Sequence, residues 1–449
     1  KIEFNEKLSI ILIIQLFNSQ GALSNQIDTL FSHNDSIIDL QTLFSAQTYP
    51  YIRLKAHYID SGSFTPAQID RWHVLFTPLP EAAIDGSNGY TWIPDVDTLH
   101  EGEEFKFAVD IKNISKLHMD SLLVSYFIED NNHVKQPLPY ERQDSLRAFQ
   151  TLRDTITFKT TGFPGLNSLW VEVNPYVNGS LVQTDQLEQY HFNNFLQVPF
   201  YVIGDYINPI LDVTFDGRHI LNGDIVNPKS EIYISLKDDN DFLVMNDISD
   251  TTLFGIFLTG PDGVQKRIPF IDGSGNEVLQ WQAAESQYKK FKIIYSAYFE
   301  TDGIYTLLVQ GSDRSGNLSG DSQYKISFEV IHESSITKLM NYPNPFSTST
   351  RFVFTLTGSE VPDEFLIQIM TVSGKVVREI TEDQLGQIYI GRNITEYAWD
   401  GTDEFGDPLA NGVYLYRVLS QINGEEIKLR ETEADKYFTK EFGKMYIIR

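Results

Sequence analysis

Glu103–Ser115 reads EEFKFAVDIKNIS, and its period sets the fold class. Phe105, Phe107, Val109 and Ile111 fall on every second position, with Lys106, Ala108 and Asp110 between them. Successive side chains of a strand point to opposite faces, so this spacing predicts a half-buried strand rather than a helix. The pattern recurs outward in both directions. DSLLVSYFIED and NSLWVEVNP follow as strands, and runs of β-branched and aromatic residues alternate with Asn, Asp, Gly and Pro along the chain. No long run of period 3.6 interrupts them. The expectation is an all-β protein built from tandem immunoglobulin-like β-sandwich modules.

A chain of 449 residues exceeds one ordinary core. Four segments are expected. Segment I (1–84) is a partial sandwich, the C-terminal part of a larger domain, with strands at Ile10–Phe17, Ile37–Phe44, Tyr51–Tyr58 and Arg71–Phe76. Its start resembles a signal peptide, but Leu8–Phe17 is read as a buried strand, too short to cross a membrane. Segment II (85–203) and segment III (204–335) are complete sandwiches. Segment IV (336–449) carries strands at Arg351–Leu356, Phe365–Thr371, Val376–Ile380, Glu396–Trp399, Val413–Ser420 and Glu425–Arg430, and ends on GKMYIIR. Gln421–Gly424, QING, is an Asn-Gly hairpin turn.

Charge and composition exclude several functions. Lys and Arg total 35 against 61 Asp and Glu, a net charge of −26, which argues against nucleic acid and anionic membranes as partners. With no cysteine there is neither a disulfide, a thiolate metal site nor a cysteine nucleophile. The nine histidines include no two within ten residues, so no local zinc motif exists. No G-x-S-x-G, phosphate loop or dinucleotide fingerprint is present. The chain is read as non-catalytic.

Segment IV opens on YPNPF, Tyr342–Phe346, a stiff lead-in in which each proline fixes its own φ and Phe346 is a core anchor. VSGKVV follows at Val372–Val377, WDGTDEFGDPLANGVYLYRV at Trp399–Val418, and a basic residue, Lys444, precedes the last strand. In this order the motifs resemble the C-terminal sorting domain of type IX secretion in the Bacteroidetes. YPYIRLKAHYIDSGSFTPAQIDRWHVLF and LDVTFDGRHILNGDIVNPKSEIYISLKDDNDF resemble segments that follow the peptidase domain in gingipain-like cell-surface proteins, and segment II resembles an adhesion-type repeat domain, with YHFNNF (Tyr190–Phe195) where such domains carry paired asparagines before the last strand. The tail Arg430–Phe442 departs from the usual short sorting domain by lengthening its final hairpin.

The resemblance implies an exported, outer-membrane-associated surface protein. Its folded terminal domain would be read by an outer-membrane β-barrel shuttle and passed through the translocon. It implies recognition through Pro343, Asn344, Pro345, Phe346, Gly374, Lys375 and Lys444. Three parents fit: cargo with an uncleaved domain, a protein that keeps its domain, or the C-terminal part of the type IX sortase, with a cysteine peptidase domain before Lys1. An adhesin binding surface glycans through Trp92, Trp281 or Tyr298 is a further alternative. Proteins of that phylum carry O-glycans on Asp-Ser/Thr followed by an apolar residue or Thr. Seven such positions occur, Thr29, Ser36, Thr98, Ser121, Ser145, Thr155 and Thr251, where composition gives about two.

Two loops are rich in carboxylates, DDNDFLVMND (Asp238–Asp247) and DGTDEFGD (Asp400–Asp407). Neither has the spacing of a calcium hand. Asp238, Asp239 and Asp241 are calcium candidates; otherwise these residues serve turns. No other cofactor is expected.

Overall fold

The computed structural model describes residues 8–30, 39–46, 48–60, 74–76, 78–85, 89–94, 97–177, 184–430 and 442–449. The chain divides into two compact units, Lys1–Leu79 and Pro80–Arg449. In the first, Leu8–Phe17 is the central strand of an antiparallel sheet, flanked by Leu23–Leu30 and Tyr51–Asp60. Residues 37–38 of the expected strand Ile37–Phe44 lie outside the described residues, and the rest is corrected: Leu40–Thr42 forms a 3-10 turn capped by the Asp39 side chain. Residues 71–73 of the expected strand Arg71–Phe76 lie outside the described residues, and Val74–Phe76 is not strand.

The second unit is a succession of two-sheet layers, here called sandwiches II, III and IV after their segments. All are β, and the alternation in the sequence is the alternation of burial. In sandwich II one sheet orders Thr151–Lys159, Glu104–Asn113 and Ala82–Ile84, and Tyr90–Ile93 also pairs with Glu104–Asn113. The facing sheet orders Thr98–His100, Phe195–Ile203, Gly165–Val173, Val124–Glu129 and Lys135–Pro137. Phe105, Phe107, Val109 and Ile111 are fully enclosed between them. The boundary near residue 84 is corrected. Ala82–Ile84 pairs with Glu104–Asn113, so these residues belong to sandwich II. The opposite face of Glu104–Asn113 is also less polar in setting than its sequence suggests. Asp110 is buried there and pairs with Arg153 at 3.0 Å.

Sandwich III repeats the plan. Ile210–Phe215, Glu231–Lys237, Lys290–Ser296 and Leu279–Gln282 form one sheet. Asp224–Val226, Tyr324–Val330, Gly303–Gly311, Phe254–Thr259 and Gln265–Arg267 form the other. Tyr305, Leu307 and Val309 point into the core.

In sandwich IV, Gly391–Ile394, Arg351–Thr357, Ser335–Tyr342 and Lys428–Leu429 form one sheet. Val376–Ile380, Glu364–Thr371, Gly412–Ile422 and Glu425–Glu426 form the other, with Gly443–Ile447 also on Gly412–Ile422. Three expectations change here. The layer begins at Ser335, so Tyr342 closes its first strand and YPNPF is the turn to the second. Glu396–Trp399 is not a strand; Gly391–Ile394 is, because Thr395 and Trp399 turn the chain back onto Phe352 and Thr350. Glu425–Arg430 splits, since the chain changes sheets after Glu426 and Lys428–Leu429 joins Ser335–Tyr342 in parallel. Asn423 and Gly424 have φ of 53° and 84°, as the Asn-Gly hairpin requires. The lengthened tail, 431–441, lies outside the described residues.

Candidate functional sites

The lead-in and the last strand of sandwich IV are fastened together. Gly443–Ile447 is an edge strand, bonded on its inner side to Gly412–Ile422. Unpaired backbone groups on such an edge invite another strand. Here they are already occupied. The Asn344 carboxamide donates through Nδ2 to the Lys444 carbonyl at 2.9 Å and accepts at Oδ1 from the Tyr446 N–H at 3.0 Å. Phe346 N–H donates to Tyr446 O at 3.0 Å, and Ile448 N–H to Phe346 O at 2.9 Å. One side chain thus stands in for part of a neighbouring strand. Phe346 drops into the core beside Trp399, ring centroids 5.6 Å apart. Pro343 and Pro345 frame Asn344 in that turn. Lys444 and Tyr446 point outward.

Of the residues implied in recognition, Pro343–Phe346 and Lys444 are therefore brought together. Gly374 and Lys375 are not in contact with them. Their turn follows Thr371, whose row across the sheet continues through Tyr414 to Met445. It lies at the same end of the sheet, at least two strand spacings or about 10 Å away. Gly374 has φ of 88°, which the tight turn requires.

The loop Asp400–Asp407 is closed by the chain's own cation. Arg449 Nη2 donates to Asp400 O at 2.6 Å and Gly401 O at 3.1 Å, and Nη1 to Leu409 O at 3.4 Å. Trp399 Nε1 donates to Thr402 O at 2.9 Å. The Thr402 hydroxyl holds the Asp400 carboxyl below its usual range, and Asp403 receives the Phe405 and Asp407 amides. These carboxylates serve the turn.

The loop after Glu231–Lys237 behaves differently. Asp238 meets Asp205, from the linker that leaves sandwich II, and Asp313, from the turn after Gly303–Gly311. One carboxylate oxygen of each lies within 4.8 Å of the others. Asp238 and Asp313 are buried. Asp205 and Asp313 were not legible as partners, because they stand 33 residues before and 75 after Asp238 and only the sandwich brings the three loops together. Burial, then the charges of Asp205 and Asp313, push the Asp238 carboxyl up to about 6. The other two calcium candidates lie outside the cluster: Asp241 pairs with Lys289, and the Asp239 carbonyl accepts from Lys289 Nζ at 2.6 Å.

The paired asparagines of YHFNNF latch the start of sandwich II. Asn194 and Asn174 each donate to Glu188 Oε2 at 2.7 Å, while Glu188 Oε1 accepts the Ala82 amide at 2.6 Å. Glu81, which is buried, accepts from Asn193 and from the Gln189 and Tyr190 amides. A groove of about 1050 Å³ separates sandwiches III and IV, where the Arg218 guanidinium lies 3.2 Å over the Tyr389 ring.

Two sugar-stacking candidates are corrected. Trp92 packs on Phe105 and Phe107, and Trp281 stacks on Phe291. Tyr298 is exposed. Among the glycosylation positions, Thr98, Ser145 and Thr155 are exposed and Ser121 is half-buried. The Thr251 hydroxyl donates to Ile248 O. Thr29 lies in Leu23–Leu30, and Ser36 lies outside the described residues.

No helix among the described residues is long and apolar enough to cross a membrane, which says nothing of β-barrels. No family model matches the chain, and no curated protein matches it in sequence. Among the solved structures that are similar in part are the following. Dimeric latent PorU from Porphyromonas gingivalis is 13% identical over 83% of this chain and 34% of its own, with a TM-score of 0.21. The CARDB domain of the PF1109 protein from Pyrococcus furiosus is 14% identical over 29% of this chain and 100% of its own, at 0.22. The chicken CNTN1 FN1–FN3 domains are 9% identical over 76% and 94%, at 0.16. The chain spans about a third of the length of the PorU structure. The assignment to tandem β-sandwiches stands on the sheets themselves.

Proposed function

We propose that this chain is a non-catalytic, exported β-sandwich region whose sandwich IV is a secretion signal read in the folded state. Sandwiches II and III act as spacers between that signal and whatever precedes them. The observation that carries the reading is the joining of YPNPF to the last strand. A signal made of two segments 100 residues apart, at Asn344 and Lys444, exists only after folding. Because Asn344 and Phe346 already cap the edge of Gly443–Ile447, a shuttle would read the outward side chains Lys444 and Tyr446 and the Gly374-Lys375 turn. Addition of a strand at that edge would first have to displace the cap. The partner in this reading is an outer-membrane β-barrel of type IX secretion, and the destination is the cell surface.

The test is co-purification from outer membranes of a bacterium with type IX secretion. The full chain should retain a barrel protein, and deletion of Tyr342–Arg449 should lose it. Retention after that deletion would sink the proposal. Lys444→Ala should weaken capture without changing the thermal midpoint.

A further inference from the structure

The junction between sandwiches II and III holds charge that the chain does not neutralise. Asp205, Asp238 and Asp313 carry three formal negative charges, and none makes an ion pair among the described residues. The nearby cations are engaged elsewhere, Lys289 on Asp241 and Arg314 on Asp250 at 2.8 Å. All the donors that reach the cluster are neutral amides. Asp205 accepts from Ile207 N–H and Asn240 Nδ2, and Asp313 from Asn317 N–H and Nδ2. Asp238 Oδ1 accepts from Asp239 N–H at 2.8 Å. Its Oδ2 has no partner, although Asp238 is 5% exposed. An enclosed carboxylate oxygen without a donor is costly, and a satisfied fold does not leave one without cause.

We propose that Asp205, Asp238 and Asp313 bind a calcium ion that fastens the Gly204–Pro209 linker to sandwich III. The donor set is oxygen only, which selects a hard cation. Calcium–oxygen bonds of 2.3–2.6 Å place opposed ligands up to about 5 Å apart, whereas magnesium allows only about 4.2 Å. The three oxygens lie within 4.8 Å of one another, inside that calcium span. Waters and backbone carbonyls would complete its shell. The site is built by the fold, since its three loops end two strands of sandwich III and leave the last strand of sandwich II.

The consequence is mechanical. The same loops already bridge the two layers: Asp205 N–H donates to Glu101 Oε2 at 3.1 Å, Asn317 Nδ2 to Asp205 O at 3.0 Å, and Asn240 Nδ2 to Glu101 O at 3.3 Å. Gly102 lies so close to Leu243 that a Cβ there would meet it at 2.5 Å. A cation at their centre converts mutual repulsion into a clamp and makes the junction stiff where calcium is abundant. This inference is independent of the reading of sandwich IV.

The experiment uses the full chain, stripped with a chelator and titrated with calcium chloride. The readouts are the thermal midpoint and proteolytic cleavage within Gly204–Pro209. Calcium should raise the midpoint and slow linker cleavage several-fold, with half-effect at about 0.1–1 mM, the range of extracellular modules. Magnesium at equal concentration should do less. Asp238→Asn keeps the size and the Asp239 bond but removes the charge. It should move the half-effect at least about tenfold higher, and Asp313→Asn should do the same. No response up to about 10 mM calcium overturns the proposal. So does a response unchanged in both variants, which would mean diffuse binding to a chain of charge −26.

Discussion

The two acidic loops, Asp238–Asp247 in sandwich III and Asp400–Asp407 in sandwich IV, look alike in sequence and end in opposite states. In the second, Arg449 reaches back over the loop and donates to three carbonyls, while Asp400 and Asp403 accept amides of their own turn. In the first, Lys289 serves Asp241 and the Asp239 carbonyl, but Asp238 meets two further carboxylates from distant strands and pairs with no cation among the described residues. What separates them is which other residues the sheets deliver. An Asp-rich loop is a turn when its acids face local amides. It becomes a charge cluster when sandwich topology stacks several such turns at one end.

The closed loop is broken most severely at its core. Trp399 is fully buried beneath it, against Phe346. Trp399→Ala should cost about 3–5 kcal/mol, the range for emptying a large aromatic site. Urea unfolding followed by circular dichroism should show a separate early transition for sandwich IV, with sandwiches II and III unchanged. A single concerted loss would mean that the layers unfold as one. Asn344→Ala comes next. It strips one acceptor and one donor from the edge of Gly443–Ile447 and should cost about 1–3 kcal/mol. Hydrogen exchange should speed up at the Tyr446 amide, which bonds Asn344 Oδ1, more than at the Met445 amide on the inner side.

The layers were legible wherever one strand carried its own signal. Phe105 to Ile111, Tyr305 to Val309 and the Asn423-Gly424 turn each state their structure within a few residues. YPNPF was legible as stiff but not as a partner of Lys444, because proline chemistry fixes local dihedrals and says nothing about what lies 100 residues away. The acidic cluster failed for the same reason. Asp238 was singled out with Asp239 and Asp241 by nearness in sequence, yet its two companions, Asp205 and Asp313, come from two other loops. Glu396–Trp399 misled differently: its aromatic pair matches a strand, but Trp399 is buried as an anchor at a turn.

Sandwich II supplies a third state, a buried carboxylate satisfied by protons. Asp154 Oδ2 accepts from Tyr126 Oη at 2.7 Å and also from Tyr140 Oη. Burial first, then Asp154, pushes the Tyr126 phenol far above its ordinary value, and Tyr140 likewise. A phenol whose folded pKa is raised contributes stability that is intact below the unfolded value of about 10. Above it the unfolded phenols ionise while the folded ones resist, so stability falls as pH rises. Thermal midpoints of sandwich II should hold from pH 7 to about 9 and drop beyond about 10. Tyr126→Phe should cost about 1 kcal/mol at neutral pH and flatten that alkaline fall.

The smallest effect tests whether the chain's own cation matters as a charge or as a cap. Arg449 is exposed, so its attraction for the carboxylates of the Asp400 loop is screened by water. Its carbonyl contacts are geometric, and a Cβ on Gly401 would sit 2.8 Å from Nη2, which shows how closely the guanidinium lies on the backbone. Arg449→Gln keeps a donor and loses the charge; Arg449→Ala loses both. If the cap dominates, the alanine variant should cost about 0.5–1 kcal/mol and the glutamine variant less, with neither depending on salt. If charge dominates, both variants should cost the same, and the cost should vanish as salt rises above about 0.5 M, where the screening length is only a few ångströms. Midpoint denaturation of sandwich IV at low and high salt separates the two. The outcome also sharpens the contrast with Asp238. A capped loop with exposed acids has no use for a cation, whereas an enclosed oxygen with no donor does.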